Sequence, residues 1–357
     1  MSVSEQSPAE QVSTPAEHSA PASLADRLDA VWSRRKRANR RRLLGIGVFA
    51  VIGIIIPFLT SNDYEFTVLG NVLLYALAGI GFYFVLGLSG QFAFSQAAIF
   101  GLGAYSSAWA ERLGANFWVG LLVAIVIVGV VAAVIRLLLW RASHFYFAIA
   151  TLAFAQVSSI IFLNWTAFTG LSGDASINTV PSFFGVDIDS PEAFYWLFFG
   201  FVIVALLISY LITVSKRYRE TVAVRDRPDA AAGLGISVLR NQLFIFVLGS
   251  LFAGVAGVLF ASSQGFIAPD SFGLNLGIDL FVVVVIGGMY SVWGAILGAI
   301  FVVVLPEVTR GLSDQRTLIL AILLVVVIVL LPRGLVGIVQ LIRDTVTRIV
   351  KRGRNVA

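Results

Sequence analysis

The sequence predicts an all-α protein that crosses a membrane many times, and three observations carry this prediction. Hydrophobic residues occupy 58% of the 357 positions and charged residues only 13%, against roughly a quarter charged in a soluble domain. Apolar runs long enough to span a bilayer recur along the chain; a spanning helix needs about 20 such residues because every backbone polar group must be bonded within it. The alternating pattern of a transmembrane β-barrel is not visible. We therefore expect a polytopic helical bundle.

Both ends of the chain are polar. Residues 1–30 are rich in Ser, Pro, Ala and Glu, a composition that predicts a disordered tail. The basic cluster RRKRANRRR at 34–42 would suit nucleic acid, but it directly precedes an apolar run, which favours a cytoplasmic anchor of membrane topology. No signal-peptide cleavage site follows it. We predict a tail and anchor over 1–42, a membrane domain over 43–338 and a basic cytoplasmic tail over 339–357.

About ten spans are expected, and the basic residues orient them. Only three of the 25 Lys and Arg residues, Arg112, Arg310 and Arg316, would lie outside. This bias places both termini in the cytoplasm, because Lys and Arg near span ends favour that side. The two short spans 276–289 and 292–307 are joined at GGMYS, and this region could also be divided into spans differently. The predicted spans are 43–59, 67–88, 92–110, 117–140, 145–163, 194–214, 242–261, 276–289, 292–307 and 317–331.

Two long loops connect the spans. The outer loop, 164–192, contains Gly, Pro and acidic residues, whereas the inner loop, 215–241, is strongly basic. Within the inner loop Asp226 can cap a helix and Pro228 suits a first helical turn. The alanines that follow favour a short helix that ends at the glycines of AAAGLG. Composition alone leaves three interpretations of this helix open: a linker turn, a membrane-surface anchor, or a docking knob for a cytoplasmic partner.

The spans carry few groups that perform chemistry. No Asp, Glu or Lys falls in the middle of a span, which argues against ion coupling through side chains. The chain has no Cys and only two His, so no metal site is expected. It also lacks a phosphate-binding loop, so ATP is not expected to bind this chain. No catalytic residue is predicted, because neither a nucleophile nor a buried acid pair can be assembled from these spans.

Neutral polar residues lie near one break in the apolar pattern. The stretch GLSGQ, 87–91, interrupts two apolar runs, and broken helices at membrane depth are tolerated where protein or a water-filled cavity satisfies the backbone. We infer a pathway for a small polar solute, although Ser and Thr in spans commonly serve packing. The small-residue patterns SLFAGVAG and GAILG are assigned to helix packing. The candidate pathway residues are Gln91, Ser95, Gln96, Thr151 and Gln156.

Five segments, taken in order, carry a family resemblance. They are GLSGQFAFSQAAIFGLGAY, YFAIATLAFAQ, RDRPDAAAGLGISVLRNQLFIFVLGSLFAGVAGVLFA, VVIGGMYSVWGAILGA and LPRGLVGI, and they run from 87 to 338. These segments resemble the permease subunits of ATP-binding-cassette importers for branched-chain amino acids, in particular the M-type subunit. Their order and spacing make a chance similarity implausible.

The resemblance implies a multi-subunit importer in the prokaryotic inner membrane. The chain would pair with a second, related permease subunit, with two cytoplasmic ATPase subunits that hold ATP and Mg, and with an extracytoplasmic solute-binding protein facing the outer loop. The chain itself would hold no cofactor and contact membrane lipid but no nucleic acid. Its inner loop would be the coupling segment, and closure of the ATPase would drive alternating access. The implied ATPase contacts are Arg225, Asp226, Asp229, Ala232 and Gly235.

The sequence departs from the family pattern at positions that bear on the solute. Ser95 and Gln96 stand where relatives commonly have Gly-His. Gln156 stands where they commonly have Glu, and Tyr290 replaces a small residue. Losing an imidazole and a carboxylate changes how a charged group is held. Branched-chain or related hydrophobic amino acids are the expected solutes; urea, short amides, aromatic acids or another small polar solute are the alternative. A gradient-driven carrier or channel is the alternative of a different class.

Overall fold

The computed structural model describes residues 24–60, 62–170, 173–176, 181–183, 186–309 and 334–337. Most of the regular structure in these residues is helical, as the sequence predicts. The helices are α1 (Leu24–Leu59), α2 (Asp63–Phe82), the π-helix π1 (Tyr83–Leu88), α3 (Gln96–Arg112), α4 (Phe117–Leu138), α5 (His144–Asn164), α6 (Thr166–Thr169), α7 (Pro191–Val214), α8 (Lys216–Asp226), α9 (Pro228–Gly233), α10 (Val238–Gln264), a 3₁₀-helix (Pro269–Phe272), α11 (Leu274–Gly287) and α12 (Val292–Val308). Four strands of two residues each are β1 (Ala175–Ser176), β2 (Ser182–Phe183), β3 (Val186–Asp187) and β4 (Phe266–Ile267).

Several of these helices can cross a membrane. Within the described ranges six segments are long and apolar enough: Asp63–Leu88, Phe117–Leu138, Phe145–Asn164, Pro191–Val214, Val238–Gln264 and Pro269–Gly287. Arg42–Phe58 and Val292–Val308 are shorter apolar helices. The chain is therefore a multi-pass helical membrane protein. The expected span at 317–331 and the basic tail at 339–357 lie outside the described residues, and the count of ten spans stays a prediction.

Several helix bounds differ from the prediction, among them those of α1, α3 and α5. Helix α1 begins at Leu24, inside the region expected to be disordered, because the segment up to the basic cluster contains strong helix formers and no Gly or Pro. Helix α3 begins at Gln96 instead of position 92, since residues 89–95 leave helical geometry. His144 is the first residue of α5, one residue before the predicted start of that span.

Helix α10 forms the centre of the bundle, where it packs against α2, α3 and α4. A glycine permits its close approach to α3: a Cβ atom at Gly257 would lie 1.9 Å from the carbonyl oxygen of Phe100. Helices α11 and α12 approach equally closely, because a Cβ at Gly298 would lie 1.8 Å from the carbonyl oxygen of Val283. These glycines belong to SLFAGVAG and GAILG, so the prediction that both patterns serve helix packing is confirmed.

A bulky residue at the α3–α10 crossing should destabilise the protein. Replacing Gly257 with Val would force the two backbones apart, and overpacking typically costs about 1–3 kcal/mol or more. We expect a lower unfolding midpoint of the detergent-purified protein in thermal or denaturant unfolding. Gly200→Val on α7 is the control, because no atom lies within 4 Å of a Cβ built at Gly200. Equal loss of stability in the two variants would contradict this account of the crossing.

The two ends of the bundle differ in character. Helix α7 leads from the loop 164–192 to helices α8 and α9, so these segments lie at opposite ends of its 24 residues. We call them the loop end and the basic end. At the loop end, β1 pairs with β4, with Ala175 opposite Ile267, and β2 pairs with β3. The Tyr105 hydroxyl donates to the Gly173 carbonyl at 2.7 Å, which ties the described part of the loop to α3.

Candidate functional site

The predicted break in the apolar pattern is a break in the helix. The α2 helix continues into π1, after which residues 89–95 are non-helical until α3 begins at Gln96. Gly90 turns the chain with φ +71°, a conformation that suits glycine. The amide nitrogens of Ser89, Gly90 and Gln91 donate to carbonyls of π1, so the first residues of the break supply hydrogen-bond donors to the C-terminal end of the π-helix. Single π-helical turns occur frequently at functional sites. We call residues 89–95 the break.

Three polar side chains at the break are buried and incompletely bonded. Gln91 is 5% exposed, and Ser95 and Gln96 are fully buried. The Gln91 amide nitrogen donates to Ser89 Oγ at 2.6 Å and to the Gln242 carbonyl at 3.3 Å. Among the described residues no partner is found for Gln91 Oε1, Ser95 Oγ or Gln96 Oε1. A buried acceptor without a donor costs about 1–3 kcal/mol, so these oxygens are suited to bind water or a solute.

Of the two candidates on α5, only Thr151 joins the break. Its hydroxyl oxygen accepts from the Phe94 amide at 3.1 Å and donates to the Ala148 carbonyl at 2.9 Å, and the residue is fully buried. Gln156 is exposed, because five helical positions rotate a side chain by roughly 140° from Thr151. We call Gln91, Ser95, Gln96 and Thr151 the polar cluster; all four are buried in the break or against it, whereas Gln156 lies on another face of α5.

Two residues that the sequence analysis did not propose extend the polar cluster. Arg136 of α4 is 3% exposed and donates to the side-chain oxygen of Gln242 and, at 3.0 Å, to the Leu139 carbonyl. The backbone carbonyl of Gln242 in turn accepts from Gln91. Hydrogen bonds thus link α4, α10 and the break. An arginine near a span end is ordinarily taken as a topology signal, so the sequence gives no indication that this one turns inward.

The short helix predicted in the inner loop is present as α9, Pro228–Gly233. Its N-cap is Arg227 and not Asp226, which ends the unpredicted helix α8. Ala231 is buried and fixes α9 to the bundle, whereas Leu234 is 80% exposed. Gly235 follows in a left-handed turn with φ +79°. The exposed residues around α9 are Asp226, Arg227, Asp229, Ala230, Ala232, Gly233, Leu234 and Gly235.

Arg225 does not share that exposed face. Its Nη1 donates to the Gly87 carbonyl at 2.9 Å, and its Nε and Nη2 both lie 2.9 Å from Asp226 Oδ1. Of the five residues predicted to contact an ATPase, four are exposed and Arg225 turns toward the break. The inner loop therefore has an exposed surface on α9 and an internal contact through α8.

Two cavities lie away from the break. One of about 150 Å³ at the loop end is lined by polar and aromatic residues of α2, α7 and α10, among them Asn71 and Phe198. The other, of about 500 Å³, is lined by apolar residues of α3, α4 and the α6 region, such as Trp109 and Phe168. Neither is lined by residues of the break. The side chains of the polar cluster are themselves buried in this conformation, so a solute contacts them only if the bundle moves.

A multi-pass helical bundle with a broken, polar-lined helix and exposed helices at its basic end has the architecture expected of a membrane transport subunit. The sequence profile of the family described as branched-chain amino acid transport system, permease component, matches residues 64–331, about three quarters of the chain. The chain belongs to this family. It is a permease subunit of an ATP-binding-cassette importer and not an enzyme.

Individual relatives agree with this assignment. The chain is 29% identical over 315 residues to the high-affinity branched-chain amino acid transport system permease protein LivM of Salmonella typhimurium, covering 80% of this chain and 72% of the relative. It is similar to the same degree to LivM of Escherichia coli. It is also 26% identical over 283 residues to LivH of Salmonella typhimurium, covering 74% of this chain and 91% of the relative. No solved structure matches the chain significantly.

Proposed function

We propose that this chain forms a translocation pathway for branched-chain or related hydrophobic amino acids, by alternating access driven by separate ATPase subunits in the prokaryotic inner membrane. The observation that carries the proposal is the break, where buried side-chain oxygens of Gln91, Ser95 and Gln96 lack donors among the described residues. An amino acid has an ammonium group that donates hydrogen bonds, and these neutral oxygens can accept them. The names of LivM and LivH support the same class of solute.

Partner subunits follow from the same proposal. Similarity to both LivM and LivH supports pairing with a second permease subunit. The exposed surface around α9 offers an apolar residue, Leu234, and the charged residues Asp226, Arg227 and Asp229, a composition suited to a docking site on a cytoplasmic ATPase. An extracytoplasmic binding protein would approach the loop end.

The proposal is tested by uptake in proteoliposomes that contain both permease subunits and the ATPases, with the binding protein and leucine added outside. We expect leucine to accumulate only when ATP is inside the vesicles. Undiminished uptake by the permease chain alone, or uptake that persists without ATP and collapses with an ionophore, would favour a gradient-driven carrier instead.

A second solute class is favoured by the amides themselves. None of the four residues of the polar cluster is ionisable, and Gln91 and Gln96 present the same donor and acceptor groups as urea or a short amide. Calorimetry of the binding protein separates the two candidates. Tight binding of leucine, isoleucine or valine supports an amino-acid pathway, whereas binding of urea, a short amide or an aromatic acid in their place assigns the importer to another cargo.

Leu234 should be required for association with the ATPase. Replacing Leu234 with Glu puts a charge where we propose an apolar contact, and buried contacts of this kind are worth about 1–2 kcal/mol. We expect about tenfold weaker association of the ATPase with the permease in pull-down or light-scattering titrations. Leu113→Glu is the matched control, because Leu113 is 69% exposed at the loop end. Equal association of both variants would show that α9 is not the docking surface.

A further inference from the structure

Arg225 contacts three parts of the chain that are far apart in sequence. It lies in the last turn of α8, and its side chain is only 24% exposed, against 58% for Asp226 beside it. The guanidinium donates to the Gly87 carbonyl and lies over the Tyr290 ring, 5.3 Å from the ring centre. Helix α8, the π-helix before the break and the turn between α11 and α12 therefore meet at one side chain.

The hydrogen bond from Arg225 to Gly87 supplies a donor to a carbonyl group at the C-terminal end of π1. Gly87 belongs to the last turn of π1, where carbonyl groups have no helical donor. A cation near a helix C-terminus is also stabilised by the helix dipole. Arg225 thus caps the helix segment that leads into the break, and a displacement of α8 would pull on that segment directly.

Close packing leaves little freedom at this contact. A Cβ atom at Gly90 would lie 2.7 Å from Arg225 Cγ, and a Cβ at Gly87 would lie 1.8 Å from the Met289 carbonyl oxygen. The glycines of GLSGQ therefore allow the arginine stem to cross the break and the α11–α12 turn to rest against it. Tyr290 follows Met289, so the same turn supplies both the backbone and the aromatic ring that hold Arg225.

We propose that Arg225 is a positioning residue that transmits movement of the α8–α9 segment to the break, and that it does not contact the ATPase. This proposal rests on the proposed function, because it supposes that an ATPase moves α9. Arginine suits the role for a geometric reason: its planar group bonds the carboxylate of Asp226 on one edge, donates to Gly87 from another nitrogen and faces Tyr290. A lysine ammonium is a point charge that cannot make all three contacts.

The test uses the assembled importer with Arg225→Ala and Arg225→Lys. Arg219→Ala is the matched control, because Arg219 is an exposed arginine on the same helix. For each complex we would measure co-purification of the ATPase, ATP hydrolysis and ATP-driven leucine uptake. We expect Arg225→Ala to retain the ATPase and its hydrolysis but to lose about tenfold in leucine uptake per ATP, as for a lost charged hydrogen bond. Arg225→Lys should be intermediate, and Arg219→Ala should be unaffected.

Two outcomes would overturn the proposal. Loss of ATPase co-purification in Arg225→Ala, matching Leu234→Glu, would make Arg225 a docking residue. Unchanged leucine uptake per ATP in Arg225→Ala would show that the contact between Arg225 and Gly87 does not transmit movement of the α8–α9 segment.

A second readout does not depend on the solute. The chain has no Cys, so spin labels can be attached at Ala230→Cys and Phe92→Cys, both exposed positions, on α9 and in the break. We expect ATP to change the label distance in the otherwise unaltered complex but not in Arg225→Ala. If ATP changes the distance without any leucine uptake, the leucine assignment fails while the Arg225 link stands. An equal change of the label distance in the unaltered complex and in Arg225→Ala would overturn the role of Arg225 but not the proposed function.

Discussion

Replacing Gln96 with Leu is expected to reduce ATP-driven solute uptake by about tenfold or more while the importer still assembles. Leucine nearly preserves the volume of glutamine, so packing within α3 is kept while the amide is removed. Gln96 Oε1 is buried and lacks a donor among the described residues. If this oxygen receives a hydrogen bond from the solute during passage, its loss costs about 1–3 kcal/mol in that step. The measurement is the initial rate of uptake in proteoliposomes at equal permease content.

Two controls separate solute contact from structure. Ser250→Ala removes the partner of the Gln96 amide nitrogen, 3.5 Å away, but leaves Oε1 in place, and we expect most uptake to remain. Gln156→Leu changes a glutamine that the structure places on an exposed face of α5, and uptake through this chain's polar cluster should not change. A loss in Gln156→Leu as large as in Gln96→Leu would show that the pathway follows the exposed face of α5 and not the polar cluster.

The contrast between these two glutamines shows what the sequence could predict about the site. GLSGQ places glycines and an amide together in a span, and that local signal was enough to predict a broken helix. Gln156 lies in a segment that is apolar on every side, so periodicity does not show which face packs inward. Thr151 faces the break because it bonds the Phe94 amide, a long-range contact that has no local pattern.

The inner loop also shows that a local pattern can predict a short helix but not which side chains turn inward. Pro228 and the following alanines predict α9, because the start, the interior and the end of a short helix are each encoded locally. Helix α8 was not predicted, since its basic composition is typical of a solvated loop. Arg225 is close to Asp226 and Asp229 in sequence and was therefore predicted to contact the ATPase with them. In the structure its side chain turns inward, because the Gly87 carbonyl accepts a hydrogen bond from it and Gly90 leaves room for its aliphatic part.

Arg136 is expected to have the largest effect on stability among the residues near the break. Replacing it with Met keeps an unbranched apolar stem but removes the donors to the Gln242 side chain and the Leu139 carbonyl. Each hydrogen bond to a charged group is worth about 1.5–3 kcal/mol, so we expect a destabilisation of about 3 kcal/mol or more. Unfolding of the detergent-purified chain by denaturant measures the change in the free energy of unfolding.

Arg141→Met is the matched control, because Arg141 is an exposed arginine just beyond the same end of α4 and rests on Trp140. It should change stability by less than about 0.5 kcal/mol, as is usual for surface substitutions. If Arg136 served only to orient the membrane topology, the two variants would behave alike. A large loss in Arg136→Met alone would show that this arginine joins α4 to α10 and, through the Gln242 carbonyl and Gln91, to the break. The charge near the membrane boundary would then act by holding α4 and α10 together beside the break.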